Sequence, residues 1–320
     1  MYRTIAATFA FCLTAAGLSI TAQPPATTPP PPATTAAQPP ATTTDQPAAT
    51  TTASDEGVVF VGAGDIANCD VIGGARSTAS LLDNIPGTIF TLGDHAYPNG
   101  TMKDLKTCYE PTWGRFKERT HPVIGNHDML ANKGQPYWEY WGDRAGPDKL
   151  GYYSYELGAW HIIAMNSEID ASDRSPQMQW LRDDLSKHNT ECTLAYWHTP
   201  VYSSGPHGGT YQMRDAWKVL YESGADVVLA SHDHIYERFA PMDGKGKVDN
   251  ERGMRQFLVG TGGGGVYLIK RVAPNSEVRD NTTYGVLKLT LKPGKYDWEF
   301  VAVSAQKFKD SGAGTCSPLK

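Results

Sequence analysis

Five short stretches of this sequence carry side chains suited to hard or borderline metal ions, and each follows an apolar run of strand length. They are Gly64-Asp65, Gly93-Asp94-His95-Ala96-Tyr97, Gly125-Asn126-His127-Asp128, Trp197-His198-Thr199-Pro200 and Ser231-His232-Asp233-His234. Asp65 and Asp94 offer carboxylates, Tyr97 a phenol, Asn126 an amide oxygen, and His198, His232 and His234 imidazoles. Anionic oxygens suit a hard cation and imidazole nitrogen a borderline divalent one, so the set is large enough for two ions rather than one. A pair of ions about 3.5–4 Å apart can lower the pKa of a bound water and clamp a phosphate. Taken singly, these stretches say little, because Gly-Asp after a strand is usually a turn and His-x-His can cap a loop. The metal-site reading comes from finding all five together.

In order and type the five stretches resemble the metallophosphoesterase superfamily, and within it the purple acid phosphatases, over roughly residues 58–303. Most of that superfamily has a histidine two residues after the first aspartate. This chain has Ala67 there, and Tyr97 replaces the lost ligand. Two departures leave the ligands intact: Ser231 stands where the family usually has glycine, and the stretch Ala195-Tyr196-Trp197-His198 does not open with valine.

The resemblance implies an α/β fold of two mixed β-sheets packed face to face and flanked by helices, a four-layer sandwich. It implies Asp94 as the bridge between two ions. Fe(III) would be held by Asp65, Asp94, Tyr97 and His234, where a phenolate on ferric iron would give the purple colour. Zn, Mn or Fe(II) would be held by Asp94, Asn126, His198 and His232. His127 is then left to act on substrate, oriented by Asp128 or another carboxylate, and His207, nine residues beyond His198 on the glycine-rich loop 203–209, matches a position that contacts phosphate. The implied protein is a secreted phosphatase hydrolysing phosphate monoesters by attack of a metal-bound hydroxide on a small phosphorylated substrate. Two alternatives stay open. One is a phosphodiesterase acting on cyclic nucleotides or phospholipid headgroups, with residues 137–141 and 202–211 as the discriminating pocket walls. The other is a non-catalytic binding protein on a phosphatase scaffold, against which the full ligand set argues.

Side chains so far apart in sequence meet only if strands deliver them to one place. Apolar runs at 58–63, 88–92, 123–124, 193–197 and 227–230 read as buried strands, and 76–84 and 176–187 as helices, the alternation expected of a layered α/β domain. The second helix has Ser175 as N-cap, Pro176 at its first position, and Met178, Leu181 and Leu185 on one face. Residues 152–156 with 160–166, and 284–291 with 296–303, read as hairpins. Each metal stretch then begins near a strand's carboxyl end, where open α/β sheets collect their ligands. The run 262–265 is followed by no Gly-Lys-Ser/Thr and reads as a tight turn after a strand at 256–259. His121 and His161 read as structural, and His188 as a contact with a helix C-terminus.

The remaining composition bounds the setting. With 320 residues, 40% hydrophobic content and a net charge of -5, the chain reads as a soluble globular enzyme without a basic footprint for nucleic acid. Residues 1–22, with Arg3, an apolar run and small residues at its end, read as a signal peptide. The run is too short and too interrupted for a stable membrane span. Residues 23–56 are nearly all Pro, Thr, Ala and Gln and read as a disordered linker, which could extend on the order of 100 Å at about 3.1 Å per residue and keep the enzyme near a surface or cell wall. A single catalytic domain, 57–320, follows. The expected location is extracellular or periplasmic. Cys69, Cys108, Cys192 and Cys316 then suit two disulfides. Cys69 and Cys108 each follow a metal stretch on loops expected to be neighbours, which favours pairing them and leaves Cys192 with Cys316.

Overall fold

A strand whose successive residues are both apolar must be covered on both faces, and the central strands of this protein are of that kind. The computed structural model describes residues 56–188, 190–304 and 308–317. Apart from Glu56, the leader and linker at 1–56 lie outside them. In chain order the strands are β1 (Val58–Ala63), β2 (Ala67–Asn68), β3 (Thr88–Leu92), β4 (Ala96–Tyr97), β5 (Thr120–Val123), β6 (Tyr153–Leu157), β7 (Trp160–Ala164) and β8 (Cys192–Tyr196). They continue as β9 (Val227–Ala230), β10 (Tyr236–Phe239), β11 (Arg255–Val259), β12 (Ser276–Asp280), β13 (Gly285–Lys292), β14 (Lys295–Ala302) and β15 (Ser311–Thr315). One sheet has the order β15-β14-β13-β1-β3-β5 and the other β12-β10-β11-β9-β8-β7-β6, with β2-β4 as a small ribbon. Both are mixed: β1, β3 and β5 run parallel, as do β7, β8, β9 and β11, and the outer strands are antiparallel.

The sheets pack face to face, as expected. Ile162, Leu194, Val227 and Leu229 from the second sheet share one apolar cluster with Phe60, Phe90, Leu287 and Leu289 from the first. Their sequence neighbours Ile163, Ala195, Val228 and Ala230 point the other way, into a second cluster with Met178 and Leu181 of the helix Pro176–Lys187 and Trp217 and Leu220 of the helix Arg214–Glu222. Ser175 caps the former helix by accepting the Met178 amide proton at 3.3 Å. The helix Gly73–Leu82 lies on the first sheet's side, with Ala75, Ala79 and Leu82 in the first cluster. It starts ahead of residue 76 because Gly74, lacking a side chain, can approach Gly263; a Cβ there would lie 2.8 Å from the Gly263 Cα. β5 carries Pro122 without penalty because it is an edge strand.

The two disulfides are Cys69–Cys108 and Cys192–Cys316. The second joins the start of β8, in one sheet, to the tail after β15 in the other. It closes a separation of 124 residues. Long loops gain most from closure, so Cys192→Ser/Cys316→Ser is expected to lose about 2–5 kcal/mol of stability, read from urea unfolding of the oxidised protein and the variant.

Candidate metal centre

The carboxyl ends of the parallel strands of both sheets open onto one place. Asp65 follows β1, Asp94 and Tyr97 follow β3, Asn126 and His127 follow β5, His198 follows β8, and His232 and His234 follow β9. Three of these residues turn sharply out of their strands in the left-handed region, Asp65 at φ 57°, Asp94 at φ 52° and His232 at φ 72°. Such residues cost energy unless their surroundings hold them. Here the loops hold one another: the amides of Asp65 and Ile66 donate to the carbonyls of Gly93 and Asp94, and the His232 amide donates to Asp65 Oδ2 at 2.9 Å.

Glycine makes the close approach possible. Gly264 N–H donates to the Asp65 carbonyl at 2.7 Å, and a Cβ on Gly264 would lie 2.7 Å from Tyr97 Cε2. Gly125 passes so near Asp94 that a Cβ there would lie 2.2 Å from its Oδ1. The glycine run read as a tight turn is thus the floor beneath Asp65 and Tyr97.

All seven metal-ligand candidates converge. Tyr97 Oη lies 2.7 Å from Asp65 Oδ1, 3.1 Å from Asp94 Oδ2 and 3.0 Å from His234 Nε2. His198 Nε2 lies 3.0 Å from Asn126 Oδ1, 3.2 Å from His232 Nδ1 and 3.5 Å from Asp94 Oδ2. Asp94 belongs to both groups. The tautomer of His198 is set from behind, because its Nδ1 lies 2.7 Å from the Leu92 carbonyl, leaving Nε2 for the site. Ser231, where the resembling family usually has glycine, adds its hydroxyl to this contact at 3.0 Å.

The electrostatics of this cluster are those of a site built around cations. Burial and the Asp65 and Asp94 carboxylates push the Tyr97 phenol well above its ordinary range. Burial, with the charges of Asp65 and Asp128, lifts Asp94 to about 6 against the pull of His198 and His127. Burial opposes ionisation of Asp65 too, but His234, His198 and the Tyr97 hydroxyl hold its carboxyl below the usual range. His198 is pushed up to about 9: burial works against its charge, and Asp94, Asp65, Glu168 and the Leu92 carbonyl outweigh it. The Tyr97 hydroxyl lies within hydrogen-bond reach of two carboxylates and of His234 Nε2, and the upward shift of His198 favours a positive charge where a metal ion would otherwise supply it. The donor set therefore fits two cations, one among oxygen-rich and one among nitrogen-rich donors.

The two remaining candidates flank the cluster. His127 lies beside Tyr97, its ring tilted 59° to the phenol with centroids 4.6 Å apart, and His207 sits 4.6 Å from His232. Asp128 does not orient the His127 ring. That ring's Nδ1 lies 2.6 Å from the Pro98 carbonyl, while Asp128 is buried behind it, accepting from the amides of Gly125, Asp94 and His95 and pairing with His95 Nδ1 at 2.9 Å. An acid flanking a helix start naturally takes free amides, which outcompete a partly exposed ring. The other pocket-wall stretch also moves: Tyr137, Tyr140 and Trp141 are buried, with Tyr137 and Trp141 packed against His95 rather than lining an opening. Sequence reasoning missed Asp233, a buried acid 2.9 Å from His207 Nδ1, and Tyr267, which stacks on His234 at 4.0 Å. Asp233 lies between two ligand candidates and could have been suspected as their support; nothing in the sequence marks Tyr267.

A sandwich of two mixed sheets with this centre at its strand ends defines the class of a metallophosphoesterase. Residues 59–236 match the model of the calcineurin-like phosphoesterase family, and the chain belongs to that family. It is similar to purple acid phosphatase 15 of Arabidopsis thaliana, 29% identical over 197 residues, which cover 49% of this chain and 37% of that protein. It is also similar to Fe(3+)-Zn(2+) purple acid phosphatase 12 of Arabidopsis thaliana, 30% identical over 191 residues, 51% of this chain and 40% of that protein. The chain thus spans less than half the length of these two relatives. Among solved structures it resembles the purple acid phosphatase PPD1 from yellow lupin (Lupinus luteus) seeds, with a TM-score of 0.68 over 83% of this chain and 55% of that one. Identity there is 17%, so the likeness is one of fold.

Asp128 is the hidden support of two ligand loops, and removing its charge strands three amides and an imidazole. Asp128→Asn is expected to cost about 3 kcal/mol or more, as for a broken buried pair, and to lower metal content. Thermal unfolding and elemental analysis of the same preparation check both.

Proposed function

We propose that this chain is a dinuclear metal-dependent phosphatase acting on small phosphate monoesters, with Asp65, Asp94, Tyr97, Asn126, His198, His232 and His234 as its metal ligands. The observation that carries this reading is the meeting of seven donor residues from five loops around the shared carboxylate of Asp94. Asp65, Asp94, Tyr97 and His234 suit Fe(III). Asp94, Asn126, His198 and His232 suit Zn, Mn or Fe(II), and a relative named for an iron–zinc pair agrees with such a division. When bound, the two ions lower the pKa of a water for attack and offset charge on the phosphoryl oxygens.

The chain's own groups supply orientation and protons. The His127 amide donates to Asp94 Oδ1 at 2.8 Å and keeps Oδ2 turned toward Tyr97 and His198. The His127 ring is held at Nδ1 by the Pro98 carbonyl and the His207 ring at Nδ1 by Asp233, so each has Nε2 as its free nitrogen. One lies beside Tyr97 and the other beside His232, at two members of the donor cluster. In their doubly protonated forms the two rings would each offer an Nε2–H to a phosphate ester seated between them: His127 to a phosphoryl oxygen, and His207, backed by a carboxylate and 47% exposed, to the departing alcohol, which takes the Nε2 proton and leaves a neutral ring with its Nδ1–H on Asp233. The preference for monoesters rests on similarity to purple acid phosphatases.

We also assign the catalytic domain to residues 57–320, behind a signal peptide at 1–22 and a linker at 23–56, in a secreted protein. Two disulfides support an oxidising compartment. No helix among the described residues is long and apolar enough to cross a membrane.

Hydrolysis of an aryl phosphate monoester should require metal, and exhaustive chelation should abolish it; full activity after chelation would overturn the reading. Asp94→Ala is expected to lose both ions, which elemental analysis reads directly. His127→Ala should keep the metals and lower turnover by roughly 10²- to 10⁴-fold. Tyr97→Phe should remove the visible charge-transfer band of the iron-loaded protein while the circular dichroism spectrum is unchanged.

A further inference from the structure

A second group of histidines and carboxylates lies at the other end of β7 from the loop that meets His198. His161 is the second residue of β7, and Glu156 on the edge strand β6 is its cross-strand partner. His188 follows the last turn of the helix Pro176–Lys187, with Asp184 four residues before it. The sequence assigns these residues unrelated structural roles, but the fold stacks the two imidazoles with centroids 4.0 Å apart and 16° between planes.

Each ring has one nitrogen already occupied, by the same residue. His161 Nε2 lies 2.7 Å from Asp184 Oδ2, and His188 Nδ1 lies 2.8 Å from the Asp184 carbonyl oxygen. Asp184 is itself held, because Ser154 Oγ donates to its Oδ1 at 2.6 Å. With N–H groups on those two nitrogens, His161 Nδ1 gains a lone pair when the proton it shares with Glu156 is lost, and His188 Nε2 keeps one. Both face Glu156 Oε1, at 2.9 Å and 4.0 Å. One donor atom from each of Glu156, His161 and His188 lies within 4.8 Å of the others. Metal-binding histidines give their far N–H to a carboxylate or carbonyl in this way, and the half-exposed His188 ring must tilt out of the stack for its near nitrogen to share an ion with His161. His161 is buried, while the side chains of Glu156 and His188 are 46% and 34% exposed, so an ion could enter from solvent and retain water in an open position.

We propose that Glu156, His161 and His188 form an accessory site for a borderline divalent ion such as Zn(II), separate from the dinuclear centre, with Asp184 orienting both imidazoles. The ion takes the place of the proton that otherwise bridges His161 Nδ1 and Glu156 Oε1, and that proton leaves to solvent. Its effect is on the scaffold: it ties the edge strand β6 to β7 and to the end of the covering helix.

The test compares wild type, His188→Ala and Glu156→Gln, each dialysed against Zn(II) alone and analysed for zinc per chain, with melting curves taken in zinc and in chelator. Wild type is expected to hold one more zinc per chain than either variant, and zinc is expected to raise its melting temperature by several degrees more than theirs. Phosphatase activity should be the same in all three, which separates this site from the dinuclear centre. Equal zinc content and equal zinc-induced shifts in all three would overturn the proposal and leave a proton-bridged network. Both substituted side chains are partly exposed, so the variants should fold, and the chelator melting curves verify it. Should one of them fail to fold, the other decides the comparison.

Discussion

Two carboxylates and a phenol share one place closed to solvent, with the Tyr97 hydroxyl within hydrogen-bond reach of Asp65, Asp94 and His234. Burying like charges is expensive, and acid groups so placed raise one another's pKa values unless a cation enters. The rest of the structure answers that constraint. Asp94 and Asp65 shift His198 toward its charged form, so a proton there answers the carboxylates where the metal-loaded cluster would use ions. A site of this kind favours the fold less than an apolar core would, which is why its ligand loops lean on so much secondary support.

That support is mostly backbone. Three ligand candidates sit at positive φ: backbone hydrogen bonds between their two loops hold Asp65 and Asp94, and the His232 amide donates to the Asp65 carboxylate. Asp128 gathers three amides and His95 behind the Asp94 loop, and the glycines at 262–265 let a loop pass against Asp65 and Tyr97 without a side chain between. Aromatic packing of Tyr109, Tyr137 and Trp141 around His95 closes that support to water. Rigid positioning of the ligands is therefore bought with buried hydrogen bonds that play no direct part in the chemistry.

Much of this was legible from residue types and order. The apolar runs marked the central strands and both hairpins, Ser175 and Pro176 marked the clearest helix, and the five stretches named seven residues that the fold brings together. The polar strands β12 and β15 were not legible, because they lie at sheet edges, bury little and carry no apolar period. The helix Arg214–Glu222 also went unread.

By itself the sequence determined which side chains could bind metal and that these candidates lie at strand ends, since these depend on residue chemistry and on local periodicity; of three possible cysteine pairings it favoured one, and the fold bears that one out. Only the tertiary structure decided who supports whom. Asp128 turned from His127 to three amides, Asp233 proved to hold His207, Tyr137 and Trp141 became a buried wall behind His95, and Glu156, His161 and His188 came together from two strands and a helix end. Such partnerships are set by which free amide or ring a buried acid reaches once the sheets have packed, a choice made in three dimensions that no spacing along the chain records.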